Sequence, residues 1–139
     1  MNEYVWEDLQ IGLHEQFEVL ITREMMSSFA ELSGDSNPLH GNAEYARQHG
    51  FRDQVVFGML ASSFYSRLVG VHLPGKYSLL HGIDIHFVSP VYIGDKLLVR
   101  GEIEFLSESV RRVELRASIR NQAGLLVSKA KIRVGLHAR

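Results

Sequence analysis

Asp35 and His40 stand in the stretch LSGDSNPLH, running from Leu32 to His40. An ionised carboxylate only accepts hydrogen bonds, whereas an imidazole gives or takes a proton near neutral pH. Between them the two can hold and activate a single water. On a regular helix this spacing would put the side chains on different faces, but a turn containing Pro38 can fold them toward one point. Asn37 can supply an amide that fixes one of them. Gly, Asp, Asn and Pro are also what a tight turn uses for its own sake, with Asp35 capping backbone amides and His40 exposed. The local pattern admits both readings. A third part lies at Gly58, where a buried helix starting near Met59 would aim its first amides at a dry site. A carbonyl oxygen becoming an enolate would be stabilised there. Equally, Gly58 can simply ease the chain into a core helix.

The elements around these residues can be read from spacing. Phe17, Val19 and Ile21 alternate as a short strand. Thr22 reads as a helix N-cap, Glu24 suits the first turn, and Met25, Met26, Phe29, Ala30 and Leu32 recur at helical spacing before Gly34 stops the helix. Asn42 to Gly50 predicts a second, short helix. Met59 to Val69, bounded by Gly58 and Gly70, predicts a third that is apolar on nearly every face and therefore buried. From Lys76 onward the period is that of strands, at Leu79–Phe87, Leu97–Phe105, Arg112–Arg120 and Leu125–Val134. Short connections between them favour antiparallel pairing over βαβ crossovers. The expected architecture is a single α+β domain over residues 1–139, an antiparallel sheet wrapped around one buried helix.

Composition excludes several functions. A formal net charge of −1, from 15 basic and 16 acidic residues, gives no global field for nucleic acid or an anionic membrane. The chain has no cysteine, which removes disulfides, thiolate metal sites and a cysteine nucleophile. The N-terminus MNEYVWEDLQIG lacks the basic start and apolar run of a secretory signal, and no window is long and apolar enough to span a membrane. A cytoplasmic protein is expected. His81, Asp84 and His86 invite a metal hypothesis, but two ligands on one strand face are too few for a closed site, and Ile83, Ile85 and Phe87 account for the other face as core. Arg111, Arg112, Arg116 and Arg120 form the densest basic stretch, suited to the phosphates of a coenzyme A or phosphopantetheine carrier and equally to a solvated sheet face. His137 and Arg139 are expected to be disordered at the end of the chain.

SGDSNPLH followed by Ala46, then VVFGMLASSFYSRLVG and later SPVYIGDKL, resemble the MaoC-like, (R)-specific enoyl-CoA hydratases of the hot-dog fold. The resemblance covers nearly the whole chain, and its most specific part is the Asp-x-Asn-Pro-x-His core at Asp35–His40. It implies a long central helix wrapped by an antiparallel sheet, a homodimer, and acyl-thioester substrates carried on coenzyme A or acyl carrier protein that enter near the subunit interface. It implies syn addition of water to a trans-2-enoyl thioester, or the reverse dehydration, with no metal or redox cofactor. Carried over, Asp35 and His40 hold the water and share the acid and base roles, Asn37 orients them, and the Gly58 amide lies in the oxyanion site. Ser63, Ser66 and Val69 fall where the family builds its acyl pocket, with Ser66 and Val69 spaced to share a helix face. One departure stands out. Many relatives have His-Gly where this chain has Phe57-Gly58, and phenylalanine donates no hydrogen bond. Two other functions use the same scaffold, a hot-dog thioesterase and a catalytically silent acyl-binding or partner-binding subunit. The order Asp-x-Asn-Pro-x-His favours hydration over hydrolysis, while Phe57 leaves the silent subunit open.

Overall fold

Strand β1 (His14–Leu20) turns Phe17 and Val19 inward and leaves Glu18 and Leu20 in solvent, the alternation its sequence predicts. Its chain continues into α1 (Arg23–Ser33), where the Thr22 hydroxyl accepts the Met25 N–H at 3.2 Å and Gly34, at φ 72°, closes the helix in the left-handed region. Two short helices follow, α2 (Pro38–Gly41) and α3 (Ala43–Gln48), then α4 (Gly58–Arg67). These coordinates are a computed structural model that describes residues 1–138.

The sheet is completed by β2 (Ser78–Phe87), β3 (Lys96–Ser107), β4 (Arg112–Arg120) and β5 (Leu126–Leu136). The five strands run in the order β1-β3-β4-β5-β2, every neighbour antiparallel. On β4, Val113, Leu115, Ala117 and Ile119 face the core, while Arg112, Glu114, Arg116, Ser118 and Arg120 face outward. Helix α4 crosses the inner face and packs Leu60, Ala61, Tyr65 and the following Leu68 against buried residues such as Val99, Ile103, Leu115, Ile119 and Ile132. Burying a leucine or isoleucine side chain in this way contributes about 1.5–3 kcal/mol. Gly101 on β3 makes the approach possible, since a Cβ there would stand 2.7 Å from Leu68 Cδ2. Within the same layer the Tyr65 and Ser128 hydroxyls meet at 2.8 Å, and burial pushes the Tyr65 phenol up to about 12.

The expected helix over Met59–Val69 differs from the observed one in two ways. It is regular only through Arg67, after which Leu68–His72 form a wider turn closed by Leu73 N–H to Leu68 O at 2.7 Å. It is also buried on one side only, because a single sheet covers a single face. Leu60, Ala61, Ser62 and Tyr65 are inside, while Met59, Ser63, Ser66 and Arg67 are open to solvent. Among the described residues no helix is long and apolar enough to cross a membrane. His137 does not fray as expected: its N–H donates to Tyr77 O at 3.0 Å and its ring sits edge-on to the Tyr77 ring. Arg139 lies outside the described residues.

His72 sets a pH limit on this packing. Its ring stacks on Phe17 at 4.7 Å, and its Nε2 is buried with no partner among the described residues. Burial first, and then the nearby Arg67 guanidinium, hold its pKa below the ordinary 6.5. In the unfolded chain His72 therefore takes up a proton at a higher pH than in the folded one. The stability from neutral His72 is full above about pH 6.5 and is lost as pH falls below it. The expected result is a urea midpoint that declines from pH 7 to pH 5, with a shallower decline in His72→Gln. Equal slopes would show that this ring does not carry the effect.

Candidate active site

The Asp35–His40 stretch is a turn whose hydrogen bonds bring both side chains to one cavity. Asp35 Oδ1 accepts the Asn37 N–H at 3.1 Å, an Asx turn. Asn37 Oδ1 accepts the Leu39 N–H at 2.9 Å and so caps α2, with Pro38 at its first position. The Asn37 carbonyl then accepts the His40 N–H at 3.0 Å. Asn37 thus orders the stretch through its backbone and its cap. Its side-chain amide makes no hydrogen bond to the side chain of Asp35 or His40, where the sequence led to an orienting contact.

His40 is fixed at one nitrogen. Its Nδ1 lies 2.7 Å from the Val55 carbonyl oxygen, and a carbonyl only accepts, so Nδ1 carries the proton. In the neutral ring Nε2 is then the free acceptor, the atom that can take a proton from water. Val55 is held in turn by its own N–H, which donates to Leu39 O at 3.0 Å. Sequence reasoning missed Val55, and no signal could have shown it, because the group involved is a backbone carbonyl on a distant segment.

Asp35 and His40 border a common cavity of about 300 Å³, together with Gly58, Phe57, Met59 and Phe87. Asp35 is exposed and His40 half-buried. Asp35 Oδ2 has no partner among the described residues. Gly58 opens α4, and its N–H, in the first turn, has no helical carbonyl to reach and no acceptor among the described residues. A Cβ on Gly58 would lie 3.0 Å from the Phe87 ring. Phe87, read from sequence as core, is instead 58% exposed at the end of β2 and leans over the helix start. It escapes burial because β2 is an edge strand and nothing in the single chain covers it.

Phe57 presents an aromatic wall to the cavity. Its ring is buried, packing at 4.3 Å against the His40 ring and at 4.9 Å against Phe29. That face of His40 therefore meets an apolar surface, while the Val55 carbonyl alone orients its Nδ1. Of the three expected pocket residues, Ser63 and Ser66 lie on the open side of α4 with Met59. Val69 does not join them: it stands one turn beyond the buried Tyr65 on the covered side and is 3% exposed.

Asp84 pairs with Arg133 at 3.3 Å on the outer sheet face, and the His81 ring lies against Gly135.

The fold and sequence have known counterparts. A (R)-specific enoyl-CoA hydratase of Aeromonas caviae is 33% identical over 120 residues, covering 86% of this chain and 90% of that protein. A mitochondrial 3-hydroxyacyl-[acyl-carrier-protein] dehydratase of Arabidopsis thaliana is 43% identical over 79 residues, and the match spans 57% of this chain but only 46% of that relative's length. The solved structure of an (R)-hydratase from A. caviae involved in PHA biosynthesis superposes with a TM-score of 0.90 at 32% identity, covering 94% of this chain and 99% of that one. The five-stranded antiparallel sheet around α4 is accordingly the hot-dog fold. The MaoC-like domain model matches residues 10–121, a span that holds the Asp35–His40 turn, Gly58 and α4, and the chain belongs to that family.

Proposed function

We propose that the protein adds water to trans-2-enoyl thioesters to give (R)-3-hydroxyacyl thioesters, and catalyses the reverse dehydration, at the cavity between Asp35, His40 and Gly58. The observation that carries this reading is the Nδ1–H contact of His40 to the Val55 carbonyl, 2.7 Å, which leaves Nε2 as a base beside the Asp35 carboxylate. One water is held by the pair. As a proton leaves it, its oxygen bonds to the β-carbon, the double-bond electrons move toward the thioester, and charge gathers on the carbonyl oxygen. The Gly58 N–H meets that oxygen. A proton from the dyad then reaches the α-carbon on the same face, completing syn addition. The dyad is restored, and the two groups act as one coupled unit. The addition is redox-neutral, and its coenzyme A or phosphopantetheine enters as part of the substrate. The names of the relatives, hydratases and dehydratases of acyl-CoA and acyl-carrier-protein substrates, support this assignment.

A homodimer completes the reading. Edge strand β2 exposes Leu79, Leu80 and Phe87, with Val88 just beyond its end, and Met59 lies on the open side of α4. A second copy pairing along β2 would cover these side chains and close the cavity on the side of Ser63 and Ser66. Sedimentation at micromolar concentration is expected to give twice the chain mass, and a well-folded monomer there would rule out a shared site.

The direct test is the loss of enoyl-thioester absorbance when the protein meets crotonyl-CoA and longer trans-2-enoyl-CoAs, with the chirality of the product determined. The expected product is the (R)-3-hydroxyacyl thioester. Hydrolysis to free acid would make the protein a thioesterase. Binding of saturated acyl-CoA without turnover would make it a silent acyl-binding subunit.

A further inference from the structure

On the outer face of the sheet, away from α4, the register surrounds one small residue with cations. Ser118 is paired directly with Arg100 on β3 and with Lys129 on β5. Arg116 and Arg120 flank it two residues away on its own strand, and so on the same face. Next to this row Arg116 pairs with Lys131, and Lys129 pairs with His86. Like charges set directly opposite one another across a sheet repel, so this arrangement opposes folding unless something negative sits over it.

The protein's own acids compensate only part of it. Glu102 serves two guanidiniums, Arg116 at 2.8 Å and Arg100 at 3.5 Å. Asp84, directly opposite Lys131 and 3.3 Å from the Arg133 guanidinium, and Glu104 also line the groove. Arg120 donates to the Gly124 carbonyl at 3.1 Å, which leaves its charge unmatched. Lys129 and Lys131 have no acceptor among the described residues. Arg116 keeps 69% of its side chain exposed, so its guanidinium can also reach a ligand. The short Ser118 side chain leaves a hollow between these long ones, a groove of about 770 Å³. In a chain of formal net charge −1 this is a local concentration of positive charge.

We infer that this groove is a second binding site, for a phosphate or diphosphate group, seated over Ser118 and held by Arg100, Arg116, Arg120 and Lys129. Guanidiniums pair bidentately with phosphate oxygens, and a lysine adds a point charge. The sheet separates the groove from His40 and Gly58, which lie on its inner side. The site therefore stands apart from the thioester cavity and does not depend on the function proposed there.

Calorimetry at low ionic strength tests it, with inorganic pyrophosphate and adenosine 3′,5′-bisphosphate as probes. Both are expected to bind, with affinity that falls as salt is added. Losing two charge-assisted contacts in Arg120→Gln/Lys129→Gln should weaken binding roughly tenfold or more, and Lys129→Gln alone should weaken it by less. Without anion the double variant should melt no lower than the parent, since it carries less repulsion. A bisphosphate that binds far more tightly than pyrophosphate identifies a nucleotide as the source, and equal binding identifies the phosphate group alone. Failure of both probes to bind at millimolar concentration overturns the site. So does binding that the folded double variant retains in full, because that binding lies elsewhere.

Discussion

Asp35→Asn is expected to fold as the parent does and to lose roughly 10²–10⁴-fold in crotonyl-CoA hydration, the usual worth of a positioned acid or base. The substitution is selective because of how Asp35 is used. Its Oδ1 accepts the Asn37 N–H at 3.1 Å, and an asparagine carbonyl oxygen can take that bond unchanged. The turn survives, the cap on α2 survives, and His40 stays where Val55 holds it. What disappears is the negative charge facing the cavity. The loss should fall mainly in kcat, because the carboxylate acts on a proton in flight rather than on the bound acyl chain. His40→Asn is the partner experiment. An amide nitrogen in place of Nδ1 can still donate to the Val55 carbonyl, but nothing replaces Nε2, so a comparable loss is expected. The double variant should be little worse than either single one, as befits a unit. A folded Asp35→Asn protein with full activity would remove the carboxylate from the mechanism and return the stretch to a plain turn.

LSGDSNPLH is built as the turn its residue types describe, except that His40 is half-buried where a plain turn would leave it exposed. The Asx turn at Asp35, the Asn37 cap and the Pro38 start are what the residue types predict, and they present Asp35 and His40 to the same cavity. Local rules were legible throughout: Thr22, Gly34 and Asn42 cap the helices they were expected to cap. The strands fall within a few residues of their expected bounds, because period-two alternation survives in the burial of β3, β4 and β5.

What escaped the sequence depends on tertiary contact. Helical spacing put Ser66 and Val69 near one face, but the sheet covers Val69, one turn beyond the buried Tyr65, and leaves Ser66 open. Alternation assigned Phe87 to the core, yet edge position decides its exposure. The basic residues of β4 were visible as a stretch, but their partners Arg100, Lys129 and Lys131 come from strands remote in sequence. Phe57 was legible as a departure and not as a contact. Only the structure shows its ring packed, tilted, against His40.

The oxyanion assignment has a sharper test than its backbone nature suggests, because Gly58→Pro removes the amide proton with little damage to the helix. Gly58 is the first residue of α4, where proline is tolerated and where the N–H has no helical acceptor to lose. Phe57, at φ −53° and ψ 127°, already has the extended conformation that a residue before proline needs. The cost is steric, since any Cβ here meets the Phe87 ring at 3.0 Å. Gly58→Ala brings the same Cβ and keeps the N–H, so it carries the crowding alone. Relative to Gly58→Ala, Gly58→Pro is expected to lose a further 10²- to 10³-fold, about the worth of one oxyanion donor, and to lose it in kcat. If the two variants hydrate crotonyl-CoA equally, the enolate is stabilised by some other donor. The missing Cβ of Gly58 then serves only to let Phe87 lie over the start of α4.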